Sequence, residues 1–177
     1  MRINRTRRIP LAIVAAISML GVAEPAVAAP TTATVTVTGG ALSITVPGSA
    51  GSLGSIANTV SGGVISGPLG QVQVNDARSA AAGSGWVATV ISTAFTPSAG
   101  PTIGAASVGY VAGPITKVGT ATFTANDPPD LTGAVAGVTA TGITGDNSAT
   151  WNPTINVAVA GGKAAGTYSA TITHSVA

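Results

Sequence analysis

Cysteine is absent from all 177 residues. Disulfide staples, thiolate nucleophiles and cysteine-ligated metals are therefore excluded from this chain. Charge is nearly as scarce: Asp, Glu, Lys and Arg make up 7% of the residues, against about 25% in an ordinary soluble domain. Histidine occurs once, as His174, and glutamate once, as Glu24. Metal centres draw on several His, Cys or carboxylate ligands, and acid–base catalysis on a spaced pair of titratable groups. Asp76, Asp127, Asp130 and Asp146 instead fall in separate turn-like stretches, and no serine stands in a nucleophile-elbow spacing. Asp127 and Asp130 flank Pro128-Pro129, which suits a plain turn better than a calcium loop. The inventory points away from an enzyme and away from any cofactor or metal.

The basic residues that are present are concentrated at the start. Arg2, Arg5, Arg7 and Arg8 precede the apolar run Leu11–Leu20, and Ala26-Val27-Ala28 follows it. Basic, apolar, then small is the order of a secretory signal peptide with its cleavage point, and the apolar run is too short for a permanent membrane span. Residues 1–28 are expected to be a leader, and residues 29–177 a single exported domain of a size that supports a real core. The chain's positive charge belongs to that leader, where four arginines and Glu24 give a net +3. From residue 29 onward Arg78, Lys117 and Lys163 face four aspartates, for a net −1. No basic patch is left to hold nucleic acid, and no membrane span is expected once the leader is gone. Cleavage leaves no cysteine for lipid attachment, and Thr173-His-Ser-Val-Ala177 is no hydrophobic tail. Any retention at a cell surface is expected to be non-covalent.

What the chain does contain is alternation. Thr34–Thr38 and Leu42–Val46 alternate on either side of Gly39-Gly40, which predicts a hairpin with Val35 and Val37 on one face, where Leu42, Ile44 and Val46 can join them. Leu69–Val74, Trp86–Ser92, Ala106–Ala112, Thr116–Thr124, Ala149–Val159 and Gly166–Val176 read as further strands. Ser49–Gly67 reads as a Gly/Ser loop with weak strands, and Ser79–Gly85 as a flexible link. Asn126–Asp130 and Gly142–Asn147 read as turns by composition. Pro153 argues for an edge or a bulge within its strand, and His174 reads as a surface residue. With no helical period anywhere, the expected fold is an antiparallel β-sandwich of Ig-like, Greek-key type.

Two candidate sites stand out. Trp86 and Trp151 each open a strand, in a chain with only two Trp, two Tyr and two Phe. A tryptophan there either fills the core or offers an exposed ring on which a sugar stacks, and both readings stay open. Asp76 and Arg78 form a candidate ion pair at a turn, the carboxylate folding back on backbone N–H groups.

The stretches Val72–Arg78, Gly85–Ser92, Ala149–Val159 and Ala165–Ala177 together resemble the WxL domain, in the short secreted form found in actinobacteria. Trp86-Val-Ala88 and Trp151-Asn-Pro153 lack the leucine that names the motif. The resemblance implies a bacterial cell-surface β-sandwich that associates non-covalently with cell-wall peptidoglycan or with other surface proteins, and it implies that the paired Trp motifs matter. A rival reading is a subunit or adhesin of a surface fibre, since weakly charged, open β edges suit strand addition. A secreted hydrolase is the third.

Overall fold

The structure, a computed structural model, describes residues 32–177, so the expected leader 1–28 lies outside the described residues. The chain divides between Thr36 and Val37. In the first unit the described residues, 32–36, carry no regular secondary structure.

The second unit is an all-β sandwich. Its strands are β1 (Leu42–Thr45), β2 (Gly63–Pro68), β3 (Val72–Ser92), β4 (Thr96–Pro97), β5 (Val108–Val111), β6 (Thr116–Ala125), β7 (Val135–Trp151), β8 (Thr154–Val159), β9 (Tyr168–Ser169) and β10 (Ile172–Val176). One sheet runs β1-β3-β7-β6 with β10 also on β3, and a second runs β2-β8-β5. β4 and β9 form a short separate ribbon. Every pairing is antiparallel.

Valine and threonine at every second position dictate which face each strand buries. In β3, Val72, Val74 and Asp76 point inward, and after a gap Trp86, Ala88 and Val90 do so again. In β8, Ile155 and Val157 alternate with more exposed neighbours. These meet Val108 and Tyr110 of β5, and Val138, Ala149 and Trp151 of β7, in one apolar core.

The two sheets are joined by a bent ribbon. β2 pairs with β8 in one sheet, and β3 pairs with β7 in the other. Both chains cross at the same corner, where Leu69 N–H donates to the Pro153 carbonyl at 2.8 Å and Gly70 N–H to Asn152 Oδ1 at 3.1 Å. Pro153 is thus neither an edge nor a bulge. It is a buried corner residue that ends β7 and delivers β8 to the opposite sheet, the place where a strand loses least by lacking an N–H.

Other expectations are corrected. Thr34–Thr38 forms no hairpin with β1. β1 pairs with β3 instead, and Val35 and Val37 are 90% and 87% exposed. Gly142–Asn147 is not a free turn but part of β7, with Gly142 and Gly145 at positive φ. β3 is also not straight. Arg78 Nη2 reaches the Gly85 carbonyl at 3.2 Å, although seven extended residues span roughly 23 Å. Ser79 and Gly83 at positive φ let residues 79–84 bulge outward, opposite the kinked part of β7.

Candidate functional site

Both tryptophans are inside. Trp86 and Trp151 are each 2% exposed, so neither ring offers a face to an external sugar, and the wall-contact alternative for these two residues is corrected to the core one. Each buried indole N–H has an acceptor, as burial requires. Trp86 Nε1 donates to Asn147 Oδ1 at 3.0 Å, and its ring lies tilted against Phe123 with centroids 5.7 Å apart. Trp151 Nε1 donates to Tyr110 Oη at 2.6 Å.

The Asp76–Arg78 pair sits at the base of the β3 bulge, within a strand rather than in a loop turn. Asp76 Oδ1 accepts from Arg78 Nε at 2.8 Å and from Arg78 N at 3.2 Å. Its Oδ2 accepts from Arg78 Nη2 at 3.0 Å and from Asn147 Nδ2 at 3.1 Å. The side-chain hydrogen bond from Arg78 holds the carboxyl below its usual range, against the opposing effect of burial. The side chain of Asp76 is fully buried while that of Arg78 is 37% exposed. Arg78 to Asp76 to Asn147 to Trp86 is therefore one hydrogen-bonded chain that ties the neck of the bulge to the core. Its chemistry is structural: both oxygens of the carboxylate are already engaged by protein donors.

His174 is half-buried rather than a surface residue, and its ring is tilted against Tyr110 with centroids 5.6 Å apart. Among the described residues its hydrogen-bond neighbour is Tyr110 Oη, 3.3 Å from Nε2. Burial lowers the His174 pKa to about 4, and raises that of Tyr110 to about 12. Asp127 and Asp130 also serve the backbone: Asp127 accepts from Ala112 N at 2.8 Å, and Asp130 from Thr132 N and Oγ1. Among the described residues no group of His, Cys, Asp or Glu is clustered for a metal ion.

The widest groove among the described residues is one the sequence did not announce. β1 belongs to one sheet and β2 to the other, so the connection between them, residues 46–62, crosses the open side of the sandwich. Gly67 lets it lie close, since a Cβ there would overlap the Leu53 backbone. On the far bank runs the segment from Lys163 to Ile172. Asn58 Nδ2 donates to the Lys163 carbonyl at 2.8 Å, tying the banks at one end.

Between the banks lies a groove of about 910 Å³. Its floor is apolar and buried (Leu69, Ile103, Val157), with Phe95 and Tyr168 half-buried along it. Its rim is exposed hydroxyl and amide, including Ser52, Ser55, Asn58, Thr59 and Thr167. Among the described residues Lys163 is the one charged residue lining it, and its Nζ already donates to the Thr102 carbonyl at 2.6 Å. An apolar floor with a neutral hydrogen-bonding rim suits an uncharged amphipathic polymer, not an ion. Tyr168 was within reach of the sequence, in the last alternating segment; the Gly/Ser bank carried no signal.

No protein-family model matches this chain, and no curated protein or solved structure gives a significant match.

Proposed function

We propose that this chain is a WxL-like, non-catalytic, exported surface protein that associates with cell-wall peptidoglycan through the groove between residues 47–59 and 163–172. The observation that carries the reading is the groove itself: open, roughly 910 Å³, rimmed by hydroxyls, with no carboxylate among the described residues that line it. An N-acetylated glycan strand presents apolar methyl groups and ring faces beside hydroxyl and amide groups, which matches that lining. Half-buried Tyr168 supplies the aromatic surface in place of Trp86 and Trp151, which serve the core. The resemblance of Val72–Arg78, Gly85–Ser92 and residues 149–177 to WxL domains supports the same class of partner, and the leader-like residues 1–28 support export.

Co-sedimentation with purified sacculi tests this. Wild-type protein is expected in the pellet, and Tyr168→Ala and Ile56→Ser are expected to weaken retention about tenfold, or about 1.4 kcal/mol. Ile56 is 38% exposed, so its replacement leaves melting nearly unchanged. Equal retention of wild type and both variants would overturn the assignment of the groove. No retention of the wild type would overturn wall binding altogether.

A further inference from the structure

We infer that residues 33–38 form a donor strand that adds to the β6 edge of a second copy of this chain. The inference goes beyond the groove and does not depend on it. Ala33-Thr-Val-Thr-Val-Thr38 alternates as regularly as any strand of the sandwich, yet among the described residues it takes part in no ladder. Val35 and Val37, on one face of that alternation, are two of the most exposed large apolar side chains, at 90% and 87%. An extended segment with free backbone groups and one apolar face is the usual shape of a strand-addition ligand.

The acceptor follows from the edges. β1 and β10 are four and five residues long, β2 ends in Pro68, and the β5 edge gives its Tyr110 N–H to the Pro128 carbonyl. β6 is the longest edge, with ten residues and no proline, paired with β7 on one side only. Beyond its bulges, Thr122–Ala125 is regular. Its inward residues Ala121 and Phe123 are only half-buried, and among the described residues no further strand covers them. Two valines at matching alternation would finish that cover and extend the sheet around Trp86.

The second copy, rather than the same chain, is favoured by position. Gly40 N–H donates to the Ala77 carbonyl of β3, so the tether that follows the segment is fixed beside β1. β6 lies at the opposite margin of that sheet, across β3 and β7. Charge does not oppose the contact, since residues 33–38 carry none and Lys117 is the one charge on β6. Donor and acceptor are different patches, so the contact builds either open chains or closed rings, of which a reciprocally exchanged pair is the smallest.

The absence of native cysteine makes the test direct. Thr36, Thr122 and Thr124 lie on the solvent-facing parity of donor and acceptor, so Thr36→Cys protein is mixed with Thr122→Cys or with Thr124→Cys protein and oxidised. Ser98, exposed in the loop after β4, supplies the control position. A disulfide-linked heterodimer is expected with one of the β6 variants, at several times the yield obtained with Ser98→Cys. In parallel, sedimentation of the otherwise native protein is expected to show concentration-dependent association, weakened at least tenfold by Val35→Ser with Val37→Ser. Cross-linking no better than the Ser98→Cys control, or a monomer at all concentrations, would overturn the inference. So would a Thr36→Cys, Thr124→Cys double variant that closes within one chain.

Discussion

The indole N–H of Trp86 ends on Asn147 Oδ1 at 3.0 Å, and Asn147 spends its own Nδ2 on the buried carboxylate of Asp76 at 3.1 Å. One side-chain amide of β7 thus satisfies a donor and an acceptor that both belong to the neighbouring strand β3. Asn147→Ala removes both partners at once, and burial leaves neither with water. The expected loss is about 2–3 kcal/mol of unfolding free energy, read from urea denaturation. Asn147→Asp should be worse than Asn147→Gln, since it sets a second carboxylate against Asp76.

Breaking the ion pair follows similar physics. Arg78→Ala leaves Asp76 charged and buried, and is expected to cost about 3 kcal/mol, the low end for buried pairs because the guanidinium is partly exposed. The Asp76 pKa is lowered in the folded state. Its contribution is therefore full above the unfolded value near 3.8 and fades as pH falls through the lower folded value. Titrating the urea midpoint between pH 5 and pH 2 checks this, and Asp76→Asn should flatten the curve in that window.

A separate acid window belongs to His174. Its folded pKa is lowered to about 4 from 6.5, so the folded state holds it neutral, able to accept from Tyr110 Oη. Stability should be full above about pH 6.5 and decline as pH falls towards 4, by about 2 kcal/mol after discounting for partial exposure. His174→Gln should abolish that decline while leaving the Asp76 window in place.

Tryptophan truncation separates core from contact. Trp86→Ala and Trp151→Ala are each expected to lower stability by about 3–5 kcal/mol. Well below their melting points, both variants should still pellet with sacculi. A variant that melts like the wild type but fails to bind would return the ring to the surface.

Much of this was legible in the sequence. Alternation located β5, β6, β8, β10 and the two ends of β3, because a half-buried strand cannot avoid period two; Ser79–Gly85, read as a flexible link, is the bulged middle of β3. It even held the clue to His174, which shares parity with half-buried Ile172 and Val176. What alternation does not carry is the partner. Thr34–Thr38 has the pattern and no ladder, while Gly142–Asn147 has turn composition and belongs to β7, because the bulged residues 80–84 of β3 pair across from it. Pro153 looked like a defect within one strand because sequence does not say that the chain changes sheets there. The groove was invisible for a different reason: its banks are about a hundred residues apart, and one is little more than Gly and Ser.

Salt offers a further check on the proposed wall contact. With a net −1 from residue 29 onward and one engaged lysine in the groove, retention on sacculi should change less than about twofold between roughly 50 and 500 mM NaCl, where a polybasic binder would be released.

The most direct test is amide hydrogen exchange of the protein with and without soluble, muramidase-released wall fragments. Protection is expected in residues 47–59 and 163–172, the two banks of the groove, with little change in β3 around Trp86 or β7 around Trp151. Protection confined to other surfaces, or none at saturating fragment, would contradict the assignment of the groove as the wall-binding site.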